Sequence, residues 1–155
     1  MSITRVTLEE LPYFVRNILA MLMLAGPKEA ATVVALEGNL GAGKTTFVQT
    51  LARELGVKEV VQSPTYVLMK SYPLELSGPS GETNNKFTRL IHIDAYRLES
   101  PDEFDALNPQ EFLSDPATLV LIEWPERVLG KLPEPDMTIK FSGEDTGEER
   151  QIEVV

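Results

Sequence analysis

The feature that most constrains this chain is a glycine-rich octapeptide, Gly-Asn-Leu-Gly-Ala-Gly-Lys-Thr, at residues 38–45. It matches the phosphate-loop pattern of a glycine, four further residues and then Gly-Lys-Ser/Thr. Its glycines can adopt backbone angles closed to other residues, so successive N–H groups can point inward around a phosphate. Lys44 would place a positive charge near the phosphate oxygens, and the Thr45 hydroxyl would be a ligand for Mg²⁺. The motif therefore predicts a nucleotide-binding site.

The residues on either side of this loop have the patterns of a strand and a helix. Residues 32–36 are β-branched and apolar, which is typical of a strand buried on both faces. After the loop, Gly56 suits a helix C-terminus. The apolar residues before it recur at helical spacing and are Phe47, Val48, Leu51 and Leu55. Such a helix would direct its partial positive charge at the phosphate, whereas a glycine-rich turn without a ligand would not require this context.

Length and charge narrow the classes of function. The 155 residues suit one domain, 1–155, with one core. With 24 acidic and 14 basic residues the formal charge is −10, which disfavours direct tight binding to nucleic acid. The absence of cysteine excludes disulfides and thiolate metal sites and favours a reducing, cytoplasmic location. The apolar run at 18–26 follows Glu9 and Glu10, so it is interpreted as a helix and not as a secretion signal.

A first helix is expected before the phosphate loop. Its apolar residues repeat at spacings of three and four and are Leu8, Leu11, Val15, Ile18 and Leu22. Thr7 and Glu10 could form a capping box at its start, but Pro12 would then remove a hydrogen bond just past the first turn. The helix is therefore expected either to kink at Pro12 or to begin close to it.

Hydrophobic pattern and turn residues predict five more strands and two more helix starts. The strands are expected at 66–72, 88–94, 118–124, 137–141 and 150–155, and the helix starts at Ser100 and Asn108. The first two of these strands are joined by one polar loop, 74–86, which we expect to be mobile, so they should pair antiparallel, as should the last two. The continuous apolar run at 118–124 is typical of a central parallel strand. The expected fold is α/β, with a central mostly parallel sheet and added antiparallel strands.

Two of these strands end in acids that suit a magnesium site. Glu123 follows four apolar residues, as a Walker B acid does, and could orient the metal's water shell or the attacking water. Asp94 ends its strand in the same way. His92, the only histidine, lies two residues earlier and should face the same side. A lone histidine is more often structural than part of a nucleotide pocket. Trp124 could line that pocket, although it could equally be a packing residue.

Six short segments together resemble the bacterial TsaE family, formerly called YjeE. They are GNLGAGKTTF, SPTYVL, HIDAYRL, PDEFDAL, LIEWPER and LPEPD, and they run in the family's order from Gly38 to Asp136. The resemblance implies a P-loop NTPase fold, a three-layer sandwich, and an ATPase that acts with the TsaB and TsaD proteins. Their product would be N6-threonylcarbamoyladenosine at position 37 of tRNAs that read codons beginning with A. The chain would meet tRNA only indirectly, through the complex.

The resemblance also implies roles for individual residues. Thr65 matches a segment similar to a GTPase switch, and it could equally be a simple turn residue. Asn39 and Asn108 depart from the family, in which Asp and Gly are common at these positions. The implied catalytic residues are Lys44, Thr65, Asp94 and Glu123, and the implied Mg²⁺ ligands are Thr45, Asp94 and Glu123. The implied ATP contacts are Gly38, Asn39, Leu40, Gly41, Ala42, Gly43, Lys44, Thr45, Thr46 and Trp124.

Two other classes of nucleotide protein share the phosphate loop. A small-molecule or nucleoside kinase needs an acceptor site and a lid that usually brings arginines to the phosphate, but the arginines here are not clustered. A regulatory GTPase usually carries Asn-Lys-x-Asp after an apolar strand, whereas residues 85–88 are Asn-Lys-Phe-Thr. An ATPase that is slow alone and is stimulated by its partners is the preferred interpretation.

Overall fold

The structure is a computed structural model that describes residues 3–62, 68–75, 86–143 and 149–155. The strands in these ranges are β1 (Ile3–Thr7), β2 (Thr32–Glu37), β3 (Met69–Pro73), β4 (Arg89–Asp94), β5 (Thr118–Glu123), β6 (Met137–Ser142) and β7 (Glu149–Val154). The helices are α1 (Leu11–Leu24), α2 (Lys44–Glu54) and α3 (Gln110–Leu113), with 3₁₀ helices at Pro101–Leu107 and Pro125–Val128. No helix in the described ranges has the length and apolar character needed to cross a membrane.

All the described strands lie in one sheet, in the order β1-β7-β6-β2-β5-β4-β3. The four central strands β6, β2, β5 and β4 run parallel, and β3, β7 and β1 join the two sides antiparallel. Parallel strands need both faces covered, which explains why β2 and β5 are almost continuously buried. The predicted α/β sheet, with its parallel centre and antiparallel additions, is confirmed.

The core has two halves, one on each face of the sheet. Leu36 and Leu121 belong to the face that carries α1 and α2, where Phe47 and Leu51 of α2 are fully buried. Alternate residues of the same strands pack on the opposite face against the two 3₁₀ helices and α3. Because successive strand residues point to opposite faces, this arrangement makes the three layers that the resemblance implied.

The N-terminal segment differs from the prediction. Ile3–Thr7 forms an edge strand that the sequence pattern did not indicate, and only Val6 within it is buried. Leu8 lies outside the helix with 64% of its surface exposed, so its assignment to the apolar stripe was wrong. The helix begins at Leu11 with Pro12 in the first turn, where a missing N–H costs nothing. Thr7 and Glu10 do exchange hydrogen bonds, but they do so one turn before the helix.

The predicted helix at Ser100 is a 3₁₀ helix, and Ser100 makes no side-chain cap. It ends at Leu107, and the next residue, Asn108, precedes Pro109 and takes a left-handed conformation with φ 51°. The residue before a proline disfavours the helical region of backbone angles, which accounts for the end of the helix at this point. Asparagine is one of the few residues other than glycine that accept this conformation.

Part of the strand predicted at 66–72 and most of the predicted mobile loop at 74–86 fall outside the described residues. In the structure this strand is β3, which begins at Met69, and residues 66 and 67 are among those not described. Residues 76–85 of the loop are likewise not described. The antiparallel pairing of β3 with β4 is confirmed.

Candidate functional site

The phosphate loop connects β2 to α2 at the carboxyl edge of the parallel strands. Gly38, Gly41 and Gly43 all have positive φ angles, of 152°, 79° and 104°. A Cβ on Gly38 would lie 2.8 Å from the carbonyl oxygen of Phe141, so the neighbouring strand β6 leaves no room for a side chain. Gly43 is the left-handed residue at which α2 begins. The loop conformation therefore requires glycine, and it brings the N-terminus of α2 to the sheet edge.

Two carboxylates reach the same edge because their strands are parallel neighbours of β2. Glu123 is the Cα partner of Leu36 on one side and of Asp94 on the other. Strand alternation places both acids on the face that carries α2, and they are 2% and 5% exposed. The carboxylates therefore lie on the face over which the loop and its helix begin.

Glu123 is the centre of the hydrogen bonding at this edge. The hydroxyl of Thr45 lies 3.1 Å from one of its carboxylate oxygens and 3.3 Å from the other. The Nε2 atom of His92 lies 2.6 Å from Oε2 of the same carboxylate. Asp94 accepts a hydrogen bond of 3.0 Å from the backbone N–H of Tyr96. Each acid is thus held in a fixed orientation, although both are almost shielded from water.

Lys44 lies in the loop with only 4% of its surface exposed. Its ammonium group donates to the carbonyl of Gly38 and lies 3.7 Å from the centre of the Trp124 ring. Burial lowers the pKa of Lys44, because the charged form loses hydration. The negative charges of Glu123, Glu126 and Asp94 oppose this shift and favour the cation. The site therefore contains a desolvated positive charge beside two buried negative ones.

Trp124 packs its ring against Lys44 of the phosphate loop. It follows β5 with φ 59°, an unusual conformation for a tryptophan, and this turns its ring toward Lys44. The ring also contacts Tyr96, with 5.1 Å between the ring centres, and Arg127 lies 6.0 Å from the Tyr96 ring. Two aromatic rings and two cationic side chains therefore lie together beside the phosphate loop.

The residues at this edge fit a magnesium ion that is shared with a nucleotide. Mg²⁺ prefers oxygen ligands and usually takes one or two carboxylates with the substrate's phosphates. Thr45, Asp94 and Glu123 provide a hydroxyl and two carboxylates. The described ranges contain no group of three or more acids, histidines or cysteines that could hold a metal by themselves. The donor set therefore suits an ion that needs phosphate oxygens to complete its coordination.

The structure brings together Lys44, Thr45, Asp94, Glu123 and Trp124, which the sequence had placed in one site. The loop tip from Asn39 to Gly41 is exposed, and Leu40 has 69% of its surface accessible. Thr46 is also exposed, whereas Ala42 is buried. Thr65 lies outside the described residues. The roles assigned to these residues remain predictions.

Two further residues lie at the site without a sequence signal strong enough to assign them. His92 contacts Glu123 directly, although its position on the strand was compatible with packing alone. Arg150 of β7 lies beside the loop, where a Cβ on Gly43 would be 3.3 Å from its Nε atom. It lines a small cleft of about 30 Å³ together with Gly43, Thr46 and Thr7. No motif surrounds Arg150, so only strand pairing could reveal this neighbourhood.

Comparison with known proteins gives a consistent result. The family described as "Threonylcarbamoyl adenosine biosynthesis protein TsaE" matches residues 13–152. Proteins named tRNA threonylcarbamoyladenosine biosynthesis protein TsaE include one from Treponema pallidum, which is 40% identical and is aligned over 73% of this chain and 74% of its own. The one from Haemophilus influenzae is 32% identical over 88% of this chain and 77% of its own. The crystal structure of Bacillus subtilis YdiB superposes with a TM-score of 0.58 at 26% identity, covering 98% of this chain and 85% of that one.

Proposed function

The chain belongs to the TsaE family, and from that premise we propose that it is the ATP-binding and ATP-hydrolysing subunit of a tRNA-modifying system. Membership of this family connects it with tRNA threonylcarbamoyladenosine biosynthesis. The product would be N6-threonylcarbamoyladenosine at position 37 of tRNAs reading codons that begin with A, and the partners would be TsaB and TsaD. We propose that residues 1–155 act as one P-loop ATPase domain in the cytoplasm, the location favoured by the lack of cysteine.

One observation carries this proposal: the phosphate loop and two buried carboxylates meet at one edge of the sheet. Backbone N–H groups of the loop and the N-terminus of α2 attract an anion. Lys44 adds a full positive charge in a place from which water is largely excluded. Glu123 and Asp94 lie close enough to this cation to influence its pKa. Binding of a nucleoside triphosphate with a divalent cation would pair the lysine with phosphate oxygens and the two carboxylates with the cation.

The residues of the site would have different roles in ATP hydrolysis. Lys44 would leave the carbonyl of Gly38 and the face of Trp124 to bind phosphate oxygens, where it stabilises the developing charge. The Thr45 hydroxyl and the carboxylates of Asp94 and Glu123 are the groups that would hold Mg²⁺. An ion held by these groups would supply charge neutralisation at the transferring phosphoryl group. Glu123, held from two sides, is the better placed acid for orienting an attacking water.

Slow turnover by the isolated chain is part of the proposal. Lys44 and Glu123 contact Thr45, His92 and Trp124, and the proposal assigns no arginine to the transferring phosphate. In related phosphoryl-transfer sites such an arginine is often supplied by a partner and accelerates hydrolysis strongly. We therefore expect TsaB and TsaD to raise the rate of ATP hydrolysis.

The test is the steady-state ATPase rate of the isolated chain and of the chain with TsaB and TsaD. At saturating Mg²⁺, Asp94→Asn and Glu123→Gln should keep much of the ATP affinity and lose turnover by roughly 100-fold, because metal and water positioning act mainly in the transition state. Glu29→Gln, at an exposed acid outside the site, is the control and should behave as the wild type. Normal hydrolysis by both site variants in the complete system would show that the acids are misassigned.

A further inference from the structure

His92 is assigned no contact with the nucleotide or the metal in the function proposed above, yet it makes a shorter side-chain contact to Glu123 than Thr45 does. Its side chain is fully buried, and Nε2 lies 2.6 Å from Oε2 of a carboxylate that is itself only 2% exposed. A carboxylate can only accept, so this short contact places the hydrogen on Nε2. Among the described residues the other ring nitrogen, Nδ1, has no hydrogen-bond partner. A bare lone pair tolerates that isolation better than a buried N–H group would.

The register of the sheet explains how His92 reaches Glu123. His92 is the Cα partner of Leu121, and Asp94 is the Cα partner of Glu123. Because side chains alternate, all four residues lie on the face that carries α2. His92 therefore contacts the acid diagonally across the two strands, from the side away from the phosphate loop. Thr45 approaches the same carboxylate from the loop side.

Simple packing does not account for this residue. Leu90, two residues earlier on the same strand face, is also fully buried, so an apolar side chain is sufficient for packing on this face. Burying an imidazole costs free energy unless it is hydrogen-bonded, and burying a carboxylate costs more. The contact between the two groups offsets both costs, and it also restrains the rotation of the Glu123 carboxyl group about its side-chain bonds.

We propose that His92 is a positioning residue, which holds Oε2 of Glu123 so that the carboxylate keeps its orientation toward Thr45 and the phosphate loop. This inference rests on the proposed function in assigning Glu123 to the magnesium and water side of the reaction. Removal of a group that orients an acid next to a metal typically lowers metal affinity or activity by about 10–100-fold. His92 is expected to act through Glu123 alone, without touching the nucleotide.

The test compares two substitutions at His92 with a matched core substitution. His92→Leu removes the donor, whereas the amide of His92→Gln can present an N–H to the same oxygen. Leu90→Ala disturbs the same strand face without removing a polar contact, so it controls for loss of stability. Two quantities are measured for each folded variant. The first is kcat and KM for ATP with TsaB and TsaD present, and the second is the Mg²⁺ concentration that half-maximally tightens binding of a fluorescent ADP analogue to the isolated chain.

We expect His92→Leu to lower kcat or raise the Mg²⁺ requirement by about 10–100-fold with little change in KM. His92→Gln should recover most of that loss, and Leu90→Ala should lower the melting temperature while changing neither quantity. Wild-type kcat and Mg²⁺ dependence in His92→Leu, or equal losses in Leu90→Ala, would overturn the inference.

The two readouts separate this inference from the proposed function. Absence of ATP hydrolysis by the wild-type chain with its partners would count against the ATPase proposal. The Mg²⁺ dependence of ADP binding would still decide the role of His92, because it needs neither turnover nor a partner. If that dependence is the same in the wild type and in His92→Leu, and kcat is unchanged or unmeasurable, the positioning role is wrong.

Discussion

At the scale of single residues, the burial and the contacts of the Lys44 ammonium group favour the binding of an anion. Burial lowers its pKa, and the carboxylates of Glu123, Glu126 and Asp94 act in the opposite direction. Its present contacts, with the carbonyl of Gly38 and the face of Trp124, are weaker partners for a cation than a phosphate would be. A phosphate that replaces these partners would therefore gain a charge-assisted hydrogen bond at little cost in reorganisation.

We expect Lys44→Ala to fold and to lose ATP affinity. A hydrogen bond to a charged group contributes about 1.5–3 kcal/mol, which corresponds to roughly a 10–100-fold rise in Kd. Isothermal titration calorimetry with ATP and Mg²⁺ measures the affinity, and urea denaturation checks the fold. Lys58→Ala, at an exposed lysine beyond the C-terminal end of α2, is the control and should bind as the wild type does. Unchanged ATP binding by Lys44→Ala would contradict the assignment.

At the scale of elements, the conformation of the phosphate loop depends on β6, a strand that the loop does not connect to. β6 is the parallel neighbour of β2 on the side away from β5, and its Phe141 carbonyl closes the space above Gly38. The central sheet thus restricts the loop to glycine at the point where β2 ends. The loop conformation is therefore set by β6 as well as by the glycines' own backbone freedom.

Gly38→Ala is expected to destabilise the protein. The new Cβ would meet the Phe141 carbonyl oxygen at 2.8 Å, and φ is 152°, a value that a residue with a side chain rarely adopts. Strain of this kind costs about 1–3 kcal/mol, to be measured as the change in the free energy of unfolding in urea.

Gly26→Ala is the matched control for this experiment. No heavy atom lies within 4 Å of a Cβ at Gly26, and its φ is not positive. Replacing such a glycine should leave stability unchanged or raise it by about 0.4–1 kcal/mol. Equal unfolding free energies for the two variants would show that the contact with Phe141 does not restrict the loop.

At the scale of the whole molecule, the net negative charge disfavours direct binding of polyanions such as tRNA. The formal charge is −10, and several basic side chains are already paired with acids. Lys28 lies 2.5 Å from Asp136, and Arg89 lies 3.0 Å from Glu111. Lys131 contacts both Asp102 and Asp105, which raises its pKa. Such pairing leaves little net positive surface for a polyanion.

The isolated chain is therefore expected not to retard tRNA. At physiological salt we expect a Kd weaker than about 10⁻⁴ M, the upper end of the range typical of non-specific nucleic-acid binding. Electrophoretic mobility of tRNA with the chain alone, and then with TsaB and TsaD added, measures this directly. Retardation is expected only when the partners are present. Tight retardation by the chain alone would contradict an indirect role at the tRNA.

The sequence alone was sufficient for the features that depend on local spacing. The loop at 38–45, the helix after it and the buried strands with Glu123 and Asp94 at their ends follow from glycine positions and hydrophobic period. Because the ends of parallel strands share one edge, the meeting of both acids with the loop was also predictable. These features involve neighbours in sequence or a general rule of sheet construction.

Only the tertiary structure decided the contacts that depend on strand register and strand order. The contact of His92 with Glu123 needs the exact register of β4 against β5, and the approach of Arg150 to Gly43 needs β7 to pair beside β6. The edge strand Ile3–Thr7 buries a single side chain, so it carries almost no hydrophobic pattern and is held by its pairing with β7. Register and strand order come from the packing of the whole sheet, and no local spacing encodes them.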